Sequence, residues 1–460
     1  MIHINIEVTL QQMLLAREER VWRQQQLLDT YKVPLICFTM NIPGPVKLSP
    51  LIRRSFRWGL RRLEGRLTGI VHREVREEVT GCEAFFAVAG DAPALKKLCT
   101  EIEDETPLGR LFDMDVLGLD GNKLDRSLVK GKSRDCIVCG APGRGCASRR
   151  LHSLEDLTAS ARTIMEEHFL KIDGDRFASM AVESLLEEVH TTPKPGLVDQ
   201  RNSGSHRDMD IALFTASAET LRPYFRECFL LGQATADRAE QETFDLLRQA
   251  GLWAEKEMYR TTGGVNTHKG AIFTLGILCG SLGKLWNAAE PLPELPRLLD
   301  RCGKIAECAL KADFCQLSAP ATAGERLYVN HGITGIRGEA AAGLPSVWNV
   351  GLPAFREALN RGLSRNDAGA VALLHLIAYV EDTNLHHRGG ASGAAWAKAE
   401  AKKLLPHPTM AQIEELDDAL IARNLSPGGC ADLLAVTLFL DKLERGEYHG
   451  KMRDFLRSGV

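Results

Sequence analysis

Residues 186–210 read LEEVHTTPKPGLVDQRNSGSHRDMD, a segment dense in carboxylates, imidazoles and basic groups. Its prolines and glycines end the helix predicted for residues 177–188 and prevent the segment from forming one regular element. A loop that only connected two helices would not need so many polar groups. Side chains of these types can hold phosphates and a metal ion. The candidate site residues of this loop are Glu187, Glu188, Lys194, Asp199, Asn202, His206, Asp208 and Asp210.

A second glycine-bearing segment, GGVNTHKG at 263–270, offers Asn266, Thr267, His268 and Lys269. Paired glycines allow backbone amides to approach a ligand closely, and a helix that starts at Lys269 favours an anion at its first turn. The spacing is not that of a Walker A loop, in which the lysine precedes serine or threonine. We favour a phosphate-binding role over an ordinary glycine turn in which Asn266 or Thr267 caps the helix.

Two later loops offer the same kinds of group. HGITGIRGE at 331–339 presents an imidazole, a guanidinium and a carboxylate from His331, Arg337 and Glu339. An apolar helix is predicted to end at Asp382 and Asn384, whose oxygens are ligands of the type that Mg²⁺ prefers, although a plain polar helix end would look the same. The candidate magnesium ligands in this half are Asp208, Asp210, Asp382 and Asn384.

In the first half of the chain, Asp113 and Asp115 stand two residues apart in a predicted strand, so their carboxylates project from one face. Such a pair suits Mg²⁺ that carries a polyphosphate, and the neighbouring Arg110 can take the remaining phosphate charge. A solvated strand face would give the same pattern. We predict that Asp113 and Asp115 are metal ligands and catalytic residues, with Arg110 beside them.

Basic side chains near the N-terminus form a second set of candidate anion contacts. Arg17 and Arg20 lie on one face of a predicted helix, and Lys47 follows the rigid turn PGPV at 43–46. A basic helical stripe is also common on plain solvent-exposed surfaces. We predict that these three residues contact a phosphorylated ligand.

Cys136, Cys139, Cys146 and His152 form the pattern C-x2-C-x6-C-x5-H. The ligand types suit a tetrahedral Zn²⁺ site, but the separations differ from those of a standard zinc finger. Three reduced thiols with a surface histidine, or an arginine-rich segment that binds a phosphorylated ligand, explain the residues equally well. We rank zinc below these two interpretations.

The order of elements in the first half predicts a small α+β domain. A charged helix is expected at 9–31, with its apolar side formed by Leu10, Leu14, Val21 and Leu28. Strands at 84–88 and 111–119 flank a helix at 93–102.

Beyond about residue 170 the chain is rich in Ala, Leu and Glu, and no convincing alternating strand is present. Helices are predicted at 176–189, 210–221, 232–257, 269–286, 294–313, 365–380, 391–404 and 411–443. We therefore predict a multi-domain chain, with an α+β domain over 1–165 and a larger all-α domain over 170–460. The seam is placed at 154–175, with a turn at Asp173-Gly174.

Length and composition limit the classes of function. A chain of 460 residues with 44% hydrophobic and 25% charged residues is typical of a globular protein with two or more domains. The net charge of −3 and the pI near 6.5 give no basic field for nucleic acid or a membrane surface. No apolar run approaches the ~20 residues of a membrane span, and the first residues lack a signal-peptide layout. We expect a cytoplasmic enzyme whose twelve cysteines are thiols or metal ligands.

Five segments of the first half, in this order, resemble one known family: LLAREERVWRQQQLL, NIPGPVK, GRLFDMDV, RDCIVC and CASRRLHS. They are similar to apo-citrate lyase phosphoribosyl-dephospho-CoA transferase over most of residues 5–160. The resemblance implies attachment of the citrate lyase prosthetic group to a serine of the apo acyl-carrier subunit, with release of pyrophosphate. It also implies nucleotidyltransferase-like chemistry, which fits Mg²⁺ held by Asp113 and Asp115.

Four segments of the second half resemble triphosphoribosyl-dephospho-CoA synthase over most of residues 175–445: EEVHTTPKPGLVDQRNSGSHRDMD, GGVNTHKG, HGITGIRGEAAAG and EDTNLHHRGG. The resemblance implies that ATP and 3′-dephospho-CoA are joined through a ribosyl–ribosyl bond and that adenine is released. Phosphate contacts are expected from Lys194, Lys269 and Arg337. The general acid and base are expected among Glu187, Glu188, Asp199, His206 and Asp208.

Together the two resemblances predict a bifunctional enzyme whose second half makes the donor that its first half uses. Its expected substrates are ATP, 3′-dephospho-CoA and the apo acyl-carrier subunit. One alternative is the equivalent maturation of malonate decarboxylase, which the citrate-type motifs of the first half disfavour. Another is a non-catalytic chaperone of the acyl-carrier subunit, in which the acids would be dispensable.

Overall fold

The computed structural model describes residues 6–129, 131, 134–141, 146, 149–314, 326, 328–329 and 332–446. It divides into two compact units. The first comprises Met1–Ile172 with Asn287–Pro291, and the second comprises Asp173–Trp286 with Leu292–Val460. His331, one of the residues predicted to bind phosphate, lies outside the described residues.

The first unit contains a four-stranded antiparallel sheet in the order β2-β3-β1-β4, so β4 is an edge strand. Its elements, in chain order, are α1 (Leu10–Tyr31), β1 (Leu35–Met40), α2 (Pro50–Glu64), β2 (Ile70–Glu78), β3 (Gly81–Val88), α3 (Ala92–Glu105) and β4 (Phe112–Leu117). The α+β character, α1, α3 and the strands β3 and β4 agree with the sequence-based prediction, whereas β1, α2 and β2 were not predicted.

Helix α1 covers one face of this sheet. It buries Leu27 and Leu28 against Cys37 and Phe85, which lie opposite each other on β1 and β3. The predicted apolar side of α1 is wrong in its first half, because Leu10 and Val21 are 77% and 64% exposed. Only the last turns of the helix reach the sheet, so the spacing of apolar residues in the earlier turns did not indicate burial.

The other face of the sheet packs against α2 and α3. Phe38 of β1 stacks on Phe56 of α2 with ring centroids 4.8 Å apart, and Phe112 of β4 meets Phe38 edge-on. Gly59 allows α2 to lie this close, since a Cβ atom there would stand 2.7 Å from the Phe38 ring. This aromatic core holds β4 in place on the face of the sheet opposite α1.

Helix α4 (Leu154–His190) includes residues 173 and 174 without a break. The turn predicted at Asp173-Gly174 is therefore wrong. Asp173 is buried and accepts a hydrogen bond of 2.8 Å from the Trp286 indole nitrogen. A Cβ at Gly174 would stand 3.3 Å from Phe229, so glycine serves close packing at this point rather than a change of chain direction.

The second unit is helical, and no strand occurs among its described residues. After α4 its helices are α5 (Ile211–Thr220), α6 (Arg222–Ala234), α7 (Glu240–Thr261), α8 (Lys269–Leu285), α9 (Leu295–Phe314), α10 (Gly335–Ala341), α11 (Leu352–Asn360), α12 (Arg365–Tyr379), α13 (Thr383–Leu404), α14 (Met410–Ala422) and α15 (Gly428–Arg445). The helix predicted over 411–443 is two helices, because Pro427 separates α14 from α15. No helix in the described residues is long and apolar enough to cross a membrane.

Helices α6 and α8 approach each other closely at small residues. A Cβ at Gly232 of α6 would stand 1.9 Å from the carbonyl oxygen of Gly280 in α8, and one at Gly283 would stand 1.9 Å from the carbonyl oxygen of Phe229. No side chain fits between two backbones at these distances. The position of α8, and with it the segment 263–270 at its start, therefore depends on these glycines.

We expect Gly232→Ala to destabilise the second unit by about 1–3 kcal/mol, because the added methyl group forces α6 away from α8. Gly251→Ala in α7 is the matched control, since its Cβ would meet only the Tyr224 hydroxyl at 3.5 Å. Alanine is the better helix former, so this control should be neutral or stabilising. Urea unfolding followed by circular dichroism measures both. Equal stability of the two variants would contradict this account of the helix contact.

Candidate active sites

A cleft of about 640 Å³ in the second unit brings together many of the residues predicted from the sequence. Its lining includes Glu188, Lys194, His206, Asn266, Thr267, His268, Lys269, Arg337 and Asn384. They come from the end of α4, the loop at 191–210, the segment 263–270 and the starts of α10 and α13. All four loops singled out in the sequence thus contribute described residues to one cleft.

The N-terminal turns of α8, α13 and α15 all contribute to the cleft wall. Thr267 to Gly270 lie at the start of α8, Thr383 and Asn384 at the start of α13, and Gly428 and Gly429 at the start of α15. The backbone N–H groups of a first helical turn have no partner within the helix and carry a partial positive charge. Asp382 already accepts the N–H groups of Asn384, Leu385 and Cys430, so these turns contribute the partial positive charge of the helix ends rather than free donors. That charge favours a ligand with several negative charges.

Four cationic side chains add to this field: Lys194, Lys269, Arg337 and Arg388. The Lys269 ammonium lies 2.9 Å from Glu255, a cleft residue that sequence reasoning missed. Arg388 donates a 2.8 Å hydrogen bond to the Ser205 carbonyl, which fixes its guanidinium at the rim of the loop. The charged groups are therefore held in position by protein contacts before any ligand binds.

Acidic groups are buried in the same cleft. Glu188 forms a buried ion pair with Lys194 at 2.6 Å, and Asp432 lies nearby on α15. Burial raises the pKa of Glu188, and the Lys194 ammonium opposes the rise. Burial also raises the pKa of Asp432 well above its ordinary value, and the carboxylates of Glu188 and Asp382 raise it further. Asp432 therefore holds a proton more firmly than Glu188, which has a cation beside it.

Asp432 was not predicted from the sequence. It follows the break between α14 and α15, and the prediction of one helix over 411–443 hid the helix start that carries it. A Cβ at Gly270 would stand 1.9 Å from an Asp432 carboxyl oxygen, so the segment 263–270 and the first turns of α15 fit against each other only with glycine at 270. The dipeptide Pro427-Gly428 was the available signal for the helix start.

Two histidines of the cleft are held in the neutral form. The Nδ1 atom of His268 lies 2.8 Å from the Ser217 hydroxyl, and its Nε2 atom has no hydrogen-bond partner among the described residues. Burial, with a smaller contribution from Lys194, lowers the pKa of His268 to about 3. Burial and then Arg388 lower the pKa of His206, whose Nε2 lies 2.9 Å from the Ser426 hydroxyl.

Several predicted residues of the 186–210 loop lie outside the cleft and hold the loop together. Asp199 accepts hydrogen bonds from the N–H groups of Lys194, Arg201 and Asn202. The Asn202 amide donates to Asp417 at 2.8 Å. These polar groups satisfy the backbone of an irregular segment, so the catalytic role predicted for Asp199 and the ligand contact predicted for Asn202 are not supported by their positions.

Glu187 and Glu339 are also engaged elsewhere. Glu187 forms ion pairs with Arg365 at 2.8 Å and with Lys442. Glu339 accepts hydrogen bonds from the Ser346 N–H at 2.6 Å and from its hydroxyl. Both carboxylates therefore serve contacts between segments of the helical unit rather than the cleft.

The four predicted magnesium ligands of this half do not assemble into one shell. Asp208 is exposed, and Asp210 caps α5 by accepting the Leu213 N–H at 2.8 Å. Asp382 is buried, and its two oxygens accept the N–H groups of Asn384, Leu385 and Cys430. Of the four, Asn384 alone is part of the cleft lining. The carboxylate oxygens of Asp210 and Asp382 already accept hydrogen bonds from backbone N–H groups at helix starts.

In the first unit, Asp113 and Asp115 lie on the same face of β4. They pair with Thr39 and Cys37 of β1 in the antiparallel register, and Phe112 and Met114 point to the core on the other face. Asp113 is exposed and Asp115 half-buried. The ammonium of Lys123, a residue not predicted, lies 2.5 Å from Asp115 and also interacts with Asp113. A cation at this place fits the ligand chemistry that two adjacent carboxylates offer to Mg²⁺.

Buried charges on α3 fix the strand between the two aspartates. Glu103 accepts the Met114 N–H at 2.9 Å, and Lys96 donates to the Met114 carbonyl at 3.0 Å. These backbone groups face the open edge of the sheet and would otherwise be unpaired. Glu103 in turn pairs with Arg134 at 2.5 Å. The spacing of Asp113 and Asp115 is thereby set from a neighbouring helix.

The remaining predicted residues of this unit differ in whether their charged groups are already paired within the protein. Arg20 is paired with Glu83, and Arg110 donates to the Asp135 carbonyl. Arg17 is exposed on α1. Lys47 donates to the Ile42 carbonyl at 2.5 Å, and its pKa is lowered by burial and then by Arg17. Arg17 and Lys47 are thus close to each other, whereas Arg20 is neutralised within the protein.

Two family models match successive parts of the chain. ATP:dephospho-CoA triphosphoribosyl transferase matches residues 174–451, and apo-citrate lyase phosphoribosyl-dephospho-CoA transferase matches residues 8–168. "Protein CitXG" of Haemophilus influenzae is 36% identical, over 94% of this chain and 96% of that protein. "Protein CitXG" of Leuconostoc mesenteroides subsp. cremoris is 31% identical, over 95% of this chain and 97% of that protein.

A third relative matches the second unit. It is the 2-(5''-triphosphoribosyl)-3'-dephosphocoenzyme-A synthase of Pectobacterium atrosepticum, which is 40% identical over 61% of this chain and 94% of that protein. Two units with separate sites define the class: a bifunctional transferase. The chain belongs to the two matched families as a fusion of both, and it is a bifunctional transferase of citrate lyase maturation. The description of the family matched at residues 8–168 names citrate lyase and so favours it over malonate decarboxylase. Both descriptions name transferases rather than a chaperone.

The neutral, buried state of His268 gives the second unit a specific pH dependence. Its pKa of about 3 in the folded protein lies below the value of about 6.5 in an unfolded chain, so the unfolded state binds more protons between these values. Stability is therefore lost as the pH falls through this window. Between pH 7 and pH 5 the unfolding free energy should fall by about 2 kcal/mol more in the parent protein than in His268→Asn.

Urea unfolding at the two pH values measures this difference. The exposed His190 provides the control for the loss of an imidazole as such, and His190→Asn is measured in the same way. An unchanged pH dependence in His268→Asn would contradict the assignment.

Proposed function

We propose that the cleft of the second unit joins ATP and 3′-dephospho-CoA and releases adenine. The bond between C1 of the ATP ribose and adenine breaks, and the same carbon bonds to the 2′-oxygen of dephospho-CoA. The triphosphate stays on the transferred ribose. The observation that carries this proposal is the meeting of three helix N-termini and four cationic side chains around buried carboxyl groups in one cleft.

The positive side of the cleft suits the phosphates of both substrates. ATP brings a triphosphate and dephospho-CoA a diphosphate, so the combined ligands carry more negative charge than one cation can neutralise. Lys194, Lys269, Arg337 and Arg388 and the first turns of α8, α13 and α15 supply distributed positive charge. Because these groups are held by protein contacts, they are preorganised for the ligands.

The buried acids suit the bond exchange at the ribose. Loss of adenine develops positive charge on C1 and negative charge on the leaving base. We assign the protonated Asp432 as the donor that gives adenine its proton. Glu188, held beside Lys194, is assigned as the carboxylate that stabilises C1 and accepts the proton of the attacking hydroxyl. Two carboxyl groups with different neighbours can thus serve opposite roles at one pH.

Asp432→Asn should lower adenine release by at least about 100-fold, because the amide keeps the shape of the side chain but supplies no proton. The purified chain is incubated with ATP, Mg²⁺ and 3′-dephospho-CoA, and adenine is followed by chromatography. Asp208→Asn is the matched control, since Asp208 is exposed and outside the cleft lining. Full activity of Asp432→Asn would remove Asp432 from the mechanism, and loss of activity in Asp208→Asn would restore the role predicted from sequence.

For the first unit we propose a nucleotidyltransferase-like site at Asp113 and Asp115. The serine oxygen of the apo acyl-carrier subunit attacks the α-phosphorus of the triphosphate, the bond to the leaving oxygen breaks, and pyrophosphate departs. Mg²⁺ held by the two carboxylates would neutralise charge on the polyphosphate. The carboxylates of Asp113 and Asp115 lie on one face of β4. Arg17 and Lys47 supply further positive charge in the same unit.

Asp113→Asn and Asp115→Asn should each lower transfer to the carrier by at least about 100-fold, because an amide is a weaker ligand than a carboxylate. Transfer is measured as the mass increase of the carrier serine, with a Ser→Ala carrier as the blank. Adenine release by the same preparations should be unchanged, which verifies that the second unit is folded, and urea unfolding followed by circular dichroism checks the first unit. Transfer at the parent rate by both variants would overturn the assignment of this site.

A further inference from the structure

A cluster of three thiols and one imidazole lies in the first unit, apart from Asp113 and Asp115. The ligand atoms of Cys136, Cys139, Cys146 and His152 are all within 4.8 Å of one another. The sulfurs of Cys139 and Cys146 are 3.5 Å apart. Cys146 and His152 follow Cys139 by seven and 13 residues, and their ligand atoms lie within 4.8 Å of those of the first pair.

The turn at Cys136 and Cys139 has a geometry that favours a metal-bound sulfur. The Val138 N–H donates to the Cys136 sulfur at 3.5 Å, and the Gly140 N–H donates to the Cys136 carbonyl at 3.0 Å. Gly140 has φ +72°, a conformation that glycine adopts without strain, and it returns the chain after the second cysteine. N–H groups directed at sulfur stabilise the thiolate form that binds metals.

His152 supplies an independent observation. Its Nε2 atom is buried and has no hydrogen-bond partner among the described residues. A buried polar nitrogen without a partner is unfavourable, because it has lost its hydrogen bond to water. A metal ion at the centre of the cluster would give this nitrogen its missing partner.

We propose that these four residues bind one Zn²⁺ ion. Three sulfurs and one imidazole nitrogen are a ligand set of structural zinc sites, whereas Mg²⁺ and Ca²⁺ take oxygen ligands. Zinc–sulfur bonds of about 2.3 Å place the sulfurs of a tetrahedral site about 3.8 Å apart. The sulfur separations in the cluster are 3.5 Å for Cys139 and Cys146 and at most 4.8 Å for the others, so each needs to change by about 1 Å or less. Four protein ligands leave no open position, and the ion is therefore structural. This reverses the preference for free thiols that the unusual sequence spacing suggested.

The zinc site stabilises contacts that reach the transfer site. Arg134 and Asp135 directly precede Cys136; Arg134 pairs with Glu103, and the Asp135 carbonyl accepts a hydrogen bond from Arg110. Glu103 also holds the Met114 N–H between the two aspartates. Anchoring the segment at Cys136 therefore fixes groups on both sides of β4. Loss of zinc should reduce transfer and leave the helical unit unaffected.

The test uses the full chain, purified in reducing buffer without added metal. Mass spectrometry of the metal content should find about one zinc ion per chain. Cys136→Ser and Cys139→Ser should each lower the zinc content at least about fivefold, because a neutral hydroxyl is a poor zinc ligand. Cys308→Ser, a change in the helical unit away from the cluster, is the matched control and should keep the parent content.

Two further measurements keep the result decisive. Adenine release by each variant reports whether the rest of the chain is folded, and it should match that of the parent protein. Replacement of zinc by Co²⁺ should give the absorption bands of tetrahedral cobalt with thiolate ligands in the parent protein and not in Cys139→Ser. Zinc well below one ion per chain in the reduced parent protein, or the parent zinc content in both cysteine variants, would overturn the proposal.

Discussion

Three carboxyl groups, those of Glu188, Asp382 and Asp432, lie close together in the second unit, the first two buried and the third half-buried, and Lys194 pairs with the first of them. This constraint shapes the unit. The ion pair with Glu188 compensates only one negative charge. The other two carboxyls depend on backbone N–H groups, those of Asn384, Leu385 and Cys430 for Asp382 and that of Ala271 for Asp432. The helix starts must therefore converge where the acids are, and their convergence creates the cleft.

The two units meet a similar requirement in different folds. In the helical unit, acids outside the cleft such as Asp199 satisfy the backbone of an irregular loop. In the sheet unit, Glu103 and Lys96 satisfy the backbone of an edge strand. In both cases one set of charged groups is used for structure so that another set remains available for chemistry. The energy of these buried contacts is what holds the reactive groups at fixed spacing.

The sequence predicted which loops form the sites better than which residues act in them. The loop at 186–210 and the segment 263–270 were recognisable by their glycines and polar groups, and both contribute to the cleft. Among adjacent acids the sequence cannot decide: Glu188 enters the cleft, whereas Glu187 points to Arg365, because one residue along a helix changes the direction by about 100°. Asp432 was missed since a helix break at Pro427 was read as continuous helix.

The edge of β4 has a consequence for how a protein substrate can approach. The backbone of Met114 is taken by Glu103 and Lys96, and the Val116 carbonyl accepts the Leu124 N–H at 2.9 Å. An exposed edge strand normally recruits extended segments of other chains, including unwanted copies of itself. In this protein the side chains of Glu103 and Lys96 and the backbone of Leu124 already occupy these hydrogen-bonding groups of β4. If Asp113 and Asp115 form the transfer site, as proposed above, a carrier would not dock by extending the sheet at β4, and its serine would reach the aspartates as a projecting loop or helix end.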